Sequence, residues 1–493
     1  MPDPIRFGTD GWRGIIAEEF TFANVRRVSQ ALADYLVAQN LNRRGIVIGY
    51  DQRFASEDFA AAVAEVLAGN GIPVFFCQAA CPSPTVAYSV LPRKSAGAVV
   101  ITASHNPARY NGFKLKSEYA ASAPPEMISQ VEEALGRSPI QRKAYDQARQ
   151  EGMITPFDPL PAYQEQLASL VNLGRIRQAG LTIIIDPMYG AGIGYLPALL
   201  NGGSSRVIEI HGERNPIFPG MRNPEPLAYN LLKLRTVVPD SGSHIGLALD
   251  GDADRVGLVD EKGSYVDTLR IFGLLTLYLL EVRGWRGPIV KSISTTAMVD
   301  KLAERYRLPV FETPVGFKYI GAKMVEEDAL IGGEESGGFG FYNHIPERDG
   351  LLAALFLLDM MVRLERTPSQ LVEYLFEQVG EHYYDRMDVP CRGRCAEDIL
   401  EQLHLNMPET LAGQQVQVAA FERGCKYNLA DGAWLLIRSS GTEPLLRLYA
   451  EAESTDRVQE LLRVGKELTG LSDTSSAVPQ ENEGDENQAA VRH

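Results

Sequence analysis

The chain has 493 residues, 45% apolar and 23% charged, the balance of an ordinary globular protein with length for roughly three or four domains. A formal net charge of −15 speaks against a general nucleic-acid binder, which needs a basic face, although a local arginine cluster still suits an anionic substrate. The five cysteines (Cys77, Cys81, Cys391, Cys395, Cys425) are odd in number and form no Cys-x-x-Cys pair. They indicate neither a disulfide framework nor a zinc site and fit a reducing compartment.

The opening MPDPIRFGTDG lacks the basic and apolar regions of a signal peptide, and a cytoplasmic protein is expected. Within it, FGTDGWRG (7–14) puts Arg13 in a glycine-rich segment, where it faces a phosphate or merely pairs with Asp10. Then GIVIGYD, SEDFAAAVAEVLAGNG, IPVFFCQ and AGAVVITASHNP read as strand, helix, strand, strand. In the last of these, Val99 to Thr102 run straight into Ser104, His105, Asn106 and Pro107. A hydroxyl at the C-terminal end of a buried strand sits where α/β proteins keep ligands. The alternative is that Ser104 and Asn106 only satisfy backbone groups in a turn.

A second block of the same grammar runs LTIIIDPMYG, RVIEIHG, HIGLALDGDADR. IIIDPMYGAGIGY resembles a dinucleotide fingerprint, but Gly190, Gly192 and Gly194 give G-x-G-x-G, and Asp186 sits where a pyrophosphate would approach. A nicotinamide site is rejected on that ground. DGDADR (250–255) sets Asp250, Asp252 and Asp254 at alternate positions. Three carboxylates this close repel one another unless a cation lies among them, and hard oxygens suit magnesium or calcium. An EF-hand fits poorly: Glu261 is at the twelfth position, but Arg255 replaces the glycine at the sixth, and a strand precedes the loop.

The third block, GPIVKSIST, TAMVDKLAERYR, LPVFETPVG, ALIGGEESGG, ends in GGEESGG (332–338), two carboxylates and a hydroxyl between glycine pairs. Such a loop either holds a sugar or is a plain surface turn. The runs IFGLLTLYLL (271–280) and LLAALFLL (351–358) are too short to cross a bilayer and predict buried helices. A fourth block differs: HYYDRMDVPC and WLLIRSSGTEPLLRLYAEAES predict antiparallel strands, and TDRVQELLRVGKELTG an amphipathic helix. RSSGTEP (438–444) joins a guanidinium, hydroxyls and a glycine, a set able to grip phosphate oxygens or simply a polar hairpin tip. Expected domains are 1–157, 158–264, 265–378 and 379–470, with 471–493 polar, acidic and disordered. The fold class is α/β: three related α/β/α domains with mixed, mainly parallel sheets, plus a C-terminal α+β domain.

Together the loops supply a nucleophilic serine, a metal site, a polyol-holding loop and a separate phosphate clamp. No G-x-x-x-x-G-K-[ST] loop is present for a kinase, and a phosphatase needs no second phosphate site. Transfer within a phosphorylated sugar fits the set. TASHNP, DGDADR, GGEESGG and RSSGTEP, in this order and over about residues 5–470, resemble the α-D-phosphohexomutase superfamily, specifically its phosphoglucomutase/phosphomannomutase members. The resemblance implies four domains around a central cleft and a phosphorylated Ser104. Asp250, Asp252 and Asp254 would bind Mg2+ with that phosphoryl group. Arg255, Arg13 and Lys114 would lie near the transferring group, with His105 shaping the loop or bonding the phosphate. Glu334 and Ser336 would hold sugar hydroxyls, and Arg438, Ser440, Gly441 and Thr442 the phosphate that is not reacting.

Some members place histidine after the last loop glycine, where this chain has Gly338; Lys114, Lys318 and His344 are then the candidates for proton transfer. Ala253 stands where glycine is commoner, a change expected to matter little. ETPVGFKYIG (312–321), with Lys318 as a substrate contact, and GEESGG look like the glucose-preferring branch; a glucosamine-type loop more often carries Gln and His. The implied activity interconverts glucose 1-phosphate and glucose 6-phosphate through glucose 1,6-bisphosphate, with mannose phosphates as a second pair. Hexose phosphates are the expected small-molecule partners, with no nucleic acid or membrane. A bisphosphate-forming phosphotransferase and a non-catalytic sugar-phosphate-binding homologue remain the alternatives.

Overall fold

The first sheet is built on two strands, Ile46–Tyr50 and Ala98–Ile101, whose residues are buried throughout, as expected of parallel strands covered on both faces. A computed structural model describes residues 5–8, 10–391, 393–421, 424–440 and 444–471. The expected tail beyond Leu471 and two of the clamp residues, Gly441 and Thr442, lie outside them. The chain divides into two units, Met1–Gly380 and Glu381–His493.

The first unit holds three sheets. One takes β1 (Trp12–Ile15), β2 (Ile46–Tyr50), β3 (Val74–Cys77), β4 (Ala98–Ile101), β5 (Tyr110–Lys116) and β6 (Ile154–Phe157) in the order β1-β5-β4-β2-β3-β6. Here β4, β2, β3 and β6 are parallel neighbours, and β5 pairs antiparallel with β4 and β1. The next takes β7 (Thr182–Asp186), β8 (Arg206–Glu209), β9 (Ile245–Leu249), β10 (Val256–Val259) and β11 (Tyr265–Val266) in the order β11-β10-β9-β7-β8. The third takes β12 (Ile289–Ser292), β13 (Val310–Thr313), β14 (Ile331–Gly333) and β15 (Phe339–Phe341) in the order β13-β12-β14-β15.

One feature recurs. In each sheet a strand with a parallel neighbour turns back into an antiparallel partner: β4 into β5, β9 into β10, β14 into β15. The three polar loops of the sequence are those three turns. All leave the carboxyl end of a parallel strand, where backbone groups are released from the ladder and ligands bind in open α/β sheets.

Helices cover the sheets. Thr21 caps Phe22–Ala38 through its Oγ1, which accepts from the Asn24 amide at 3.2 Å. The apolar runs fold as expected: Thr268–Leu277 is capped by Asp267, and Gly350–Leu364 by Asp349, with residues 350–361 buried all round. Among the described residues no helix is long and apolar enough to cross a membrane.

The second unit is one antiparallel sheet of β16 (Tyr383–Pro390), β17 (Thr410–Leu411), β18 (Gln414–Phe421), β19 (Gly424–Leu429), β20 (Trp434–Ser439) and β21 (Leu445–Ala452), ordered β16-β21-β20-β19-β18-β17. Helix Thr455–Leu468 buries Val458, Leu461, Leu462 and Gly465, the spacing of one helical face. The predicted mixed α/β architecture with a C-terminal α+β part is what the chain forms.

Candidate active site

Ser104 sits at the β4–β5 turn in the left-handed region, φ 51°, a conformation that costs a non-glycine residue on the order of 1 kcal/mol or more. The surrounding bonds offset that cost. Its amide donates to Thr102 Oγ1 at 2.8 Å, and Thr102 Oγ1 donates to Asp51 Oδ2 at 2.6 Å. The buried Arg53 guanidinium donates to four carbonyls of the turn: Ser104 (2.7 Å), Asn106 (2.5 Å), Pro107 and Tyr110 (3.0 Å each). Asp51 balances the guanidinium, 3.2 Å from its Nε. The serine hydroxyl is left for other work. It donates to Asp250 Oδ2 at 2.9 Å and lies 3.2 Å from His105 Nδ1.

Arg13, on β1, donates to Asn106 Oδ1 at 2.5 Å and is 3.9 Å from Asp10. It therefore leans on the serine turn rather than on its near neighbour in sequence. Burial and the cations Arg255, Arg13, Lys114 and Arg348 hold the His105 imidazole well below the usual histidine range.

The β9–β10 turn brings Asp250, Asp252 and Asp254, all buried, to where one oxygen of each lies within 4.8 Å of the others. Asp250 Oδ1 accepts from the amides of Asp254 (3.0 Å) and Arg255 (3.1 Å). Asp252 Oδ2 accepts from Ser83 Oγ (2.5 Å) and Lys114 Nζ (2.8 Å), which also reaches Asp254 at 3.2 Å. The Oδ1 atoms of Asp252 and Asp254 are buried and accept no hydrogen bond from the described residues. Burial, reinforced by Asp254 and Asp252, pushes the Asp250 carboxyl well up. Asp252 goes down although burial opposes it, because Lys114 is in contact. Hard oxygens with two buried lone-pair sites unfilled fit a divalent cation such as magnesium.

A Cβ at Gly251 would lie 2.3 Å from the Ser104 carbonyl oxygen, so this glycine lets the two turns touch. Ala253 has φ 58°. Its replacement of a commoner glycine, expected to be of little account, puts a left-handed alanine at the centre of the loop at a cost of about 1 kcal/mol.

In the β14–β15 turn Glu334 Oε1 accepts from Ser336 Oγ (2.7 Å) and from Arg348 (3.1 Å). Burial raises its carboxyl. Arg348, buried, also binds Asp10 (2.6 Å) and Asp254 (2.9 Å). Its Cδ lies 2.3 Å from where a Cβ of residue 338 would stand, so the arginine fills the space beside Gly338. Asp10 in turn touches Lys114 at 2.7 Å, and Lys116 pairs with Glu347. Sequence reading missed Arg348, Glu347, Lys116 and Arg53; the one signal for the first two was a charged ERD directly before the apolar run LLAALFLL.

The remaining candidates make contacts of their own. The His344 side chain is buried, its Nε2 2.8 Å from Asp349, which also accepts from Tyr163. Lys318 opens helix Phe317–Glu327, its ammonium 5.1 Å from the Tyr319 ring. Asp186, in the rejected dinucleotide loop, is held by His211 at 3.0 Å and the Met188 amide at 2.8 Å. In the second unit Arg438, on β20, donates to Tyr449 Oη (2.6 Å) and the Ser439 carbonyl (3.2 Å). The Ser440 amide closes the hairpin on the Leu445 carbonyl at 3.0 Å.

Models of the phosphoglucomutase/phosphomannomutase alpha/beta/alpha domains I, II and III match residues 4–139, 161–263 and 268–379, and that of the C-terminal domain matches 400–463. A phosphoglucomutase/phosphomannomutase of Thermococcus kodakarensis is 29% identical, over 94% of this chain and 98% of its own. A phosphoglucosamine/phosphogalactosamine mutase of Sulfurisphaera tokodaii is 27% identical over 94% and 98%. A solved structure from Thermus thermophilus, described provisionally as a phosphomannomutase, is 33% identical, covers 95% of this chain and 100% of its own, and superposes with a TM-score of 0.82. With four domain models matched in order along most of its length, and a serine turn set against a buried aspartate triad, this chain belongs to the phosphoglucomutase/phosphomannomutase family.

Proposed function

We propose that the protein is a phosphohexomutase working through a phosphoserine at Ser104, with glucose 1-phosphate and glucose 6-phosphate as its first substrate pair and mannose phosphates as its second. The observation that carries this reading is the 2.9 Å contact between the Ser104 hydroxyl and Asp250 inside the aspartate triad. The P–Oγ bond of the phosphoserine breaks as its phosphoryl group passes to the free hydroxyl of a glucose monophosphate, and the proton of that hydroxyl passes through a base to Ser104 Oγ. The resulting glucose 1,6-bisphosphate turns over and returns its other phosphoryl group to Ser104 Oγ, whose proton goes to the sugar oxygen set free, releasing the isomer.

Asp250, Asp252 and Asp254 would hold Mg2+, which supplies charge stabilisation to the phosphoryl oxygens. Arg13, Lys114 and Arg255 add fixed positive charge beside the reacting group, where a preorganised cation counts for more than in water. His105, kept neutral, is a hydrogen-bond partner for the Ser104 oxygen. Glu334 and Ser336 exchange their mutual bond for sugar hydroxyls, and Lys318 contacts substrate. Arg438, Ser440, Gly441 and Thr442 are assigned to phosphate binding.

An amino-sugar reading has its own support in the Sulfurisphaera relative, so the test compares sugars directly. Glucose, mannose and glucosamine 1-phosphates are each supplied with magnesium and the matching bisphosphate, and 6-phosphate formation is followed for wild type and Ser104→Ala. Turnover of the glucose and mannose compounds that falls at least about 10³-fold in the variant is the expected result. Preference for glucosamine 1-phosphate overturns the sugar assignment. Equal rates in both proteins overturn the phosphoserine.

A further inference from the structure

Between β8 and helix Leu232–Asp240, residues 210–231 form no strand or helix. Connections beyond about 12–15 residues are uncommon in packed domains and usually have a task. This one touches both halves of the reacting centre. The Arg214 guanidinium pairs with Glu57 (2.8 and 2.7 Å) and donates to the Arg53 carbonyl at 3.3 Å. The Phe218 ring lies 5.0 Å from the Arg53 guanidinium, the same group that grips the serine turn. Farther along, Asn223 Nδ2 donates to the His105 carbonyl at 2.9 Å, the first carbonyl after the reactive serine. The Pro224 carbonyl accepts from the Gly251 amide at 3.2 Å. Glu225 Oε1 accepts from Arg255 at 3.0 Å, while its Oε2 lies 3.2 Å from Asn223 Nδ2.

One amide group thus joins the serine turn to the carboxylate that holds Arg255. Asn230 stiffens the join, donating to Asn223 Oδ1 (3.1 Å) and the Glu225 carbonyl (2.9 Å). Glu225 does a second thing. Asp250, Asp254 and Glu334 also act on Arg255, and Asp254 lies 3.9 Å from its Nε. Without Glu225 the guanidinium is drawn toward Asp254 and competes there for an oxygen of the aspartate triad.

We infer that Asn223 and Glu225 are positioning residues: Asn223 fixes the Ser104 turn, and Glu225 keeps Arg255 aimed at the reacting phosphoryl group and off Asp254. The inference rests on the phosphoserine reading above for its catalytic consequence, but its geometric half can be tested without any substrate. Full-length wild type, Asn223→Ala, Glu225→Gln and Glu225→Asp are compared by amide hydrogen exchange, by thermal shift on titration with magnesium alone, and by steady-state kinetics.

In Asn223→Ala, amides of residues 103–106 are expected to exchange about tenfold faster, the equivalent of one lost hydrogen bond, with protection elsewhere unchanged. Its kcat should fall about 10–100-fold and its KM should stay within about twofold, the split that marks misalignment of the reacting group rather than lost binding. In Glu225→Gln the magnesium concentration giving half the thermal shift should rise several-fold, and Glu225→Asp should recover part of it. Unchanged exchange at 103–106 together with an unchanged magnesium midpoint overturns the inference. So does a uniform loss of protection across residues 5–380, which would make the segment a stabiliser only. A wild type inactive on every hexose phosphate defeats the functional reading, whereas the exchange and magnesium measurements still decide this one.

Discussion

The turns at 250–255 and 334–338 leave their sheets at equivalent points and are stitched together, the Val256 amide donating to the Gly337 carbonyl at 3.1 Å. Their carboxylates nonetheless live differently. Asp252 and Asp254 each keep a buried oxygen without a hydrogen bond, which is expensive unless a cation fills the gap. Glu334 has a hydroxyl and a guanidinium on one oxygen. An acceptor left unsatisfied by its own chain is built for an ion, while one satisfied by a neighbouring hydroxyl can trade that hydroxyl for another.

The comparison breaks most visibly at the metal turn. Asp252→Ala should cut turnover in the hexose phosphate assay about 10²–10³-fold and abolish the thermal stabilisation by magnesium. Glu334→Ala should leave that stabilisation intact. Loss of the magnesium effect in both variants would erase the distinction between the turns.

A smaller effect separates the two glycines. A methyl at residue 251 meets a backbone oxygen at 2.3 Å, and one at 338 meets a side-chain methylene at the same distance. Backbone cannot yield as a side chain can, so Gly251→Ala should cost about 1–3 kcal/mol in denaturant unfolding and Gly338→Ala less. Equal costs would mean that Arg348 is held as rigidly as the main chain.

The smallest expected effect is a tilt with pH. Burial raises the Glu334 carboxyl above its unfolded value. The folded state therefore binds more protons over that window, and stability from this group falls as pH rises from the ordinary carboxylate range through the raised value. Glu334→Gln should flatten that slope, read from unfolding midpoints at a series of pH values. An unaltered slope would place the titrating group elsewhere.

Much of this centre is legible in the sequence because its parts are contiguous. Ser104 with its turn and the three aspartates announce themselves within a few residues, and alternation of strand and helix places both at strand ends. Arg348 is different. It meets Asp10, Asp254 and Glu334, partners drawn from distant turns, and no spacing rule reaches across such separations. Arg53 was hidden for the same reason, since its four carbonyl partners are backbone atoms that leave no mark on composition. The segment 210–231 carries no periodicity to read, so nothing in its sequence points to the contacts it makes. The partners of His344 were equally hidden: it meets Asp349, which a tyrosine from far along the chain also contacts.

The aspartate turn is also tied to its surroundings by main-chain bonds: the Ser83 amide donates to the Asp252 carbonyl (2.9 Å), the Val256 amide to the Gly337 carbonyl (3.1 Å), and the Gly350 amide to the Ala253 carbonyl (3.2 Å). Each bond spans segments attached to different sheets, and all converge on the same few residues. Opening any one of these sheets breaks at least one bond to the aspartate turn and exposes its neighbours. Residues 5–380 are accordingly expected to melt as one cooperative body rather than as three beads, a single calorimetric transition being the outcome that would bear this out, and the charged centre would then be the keystone of that cooperativity.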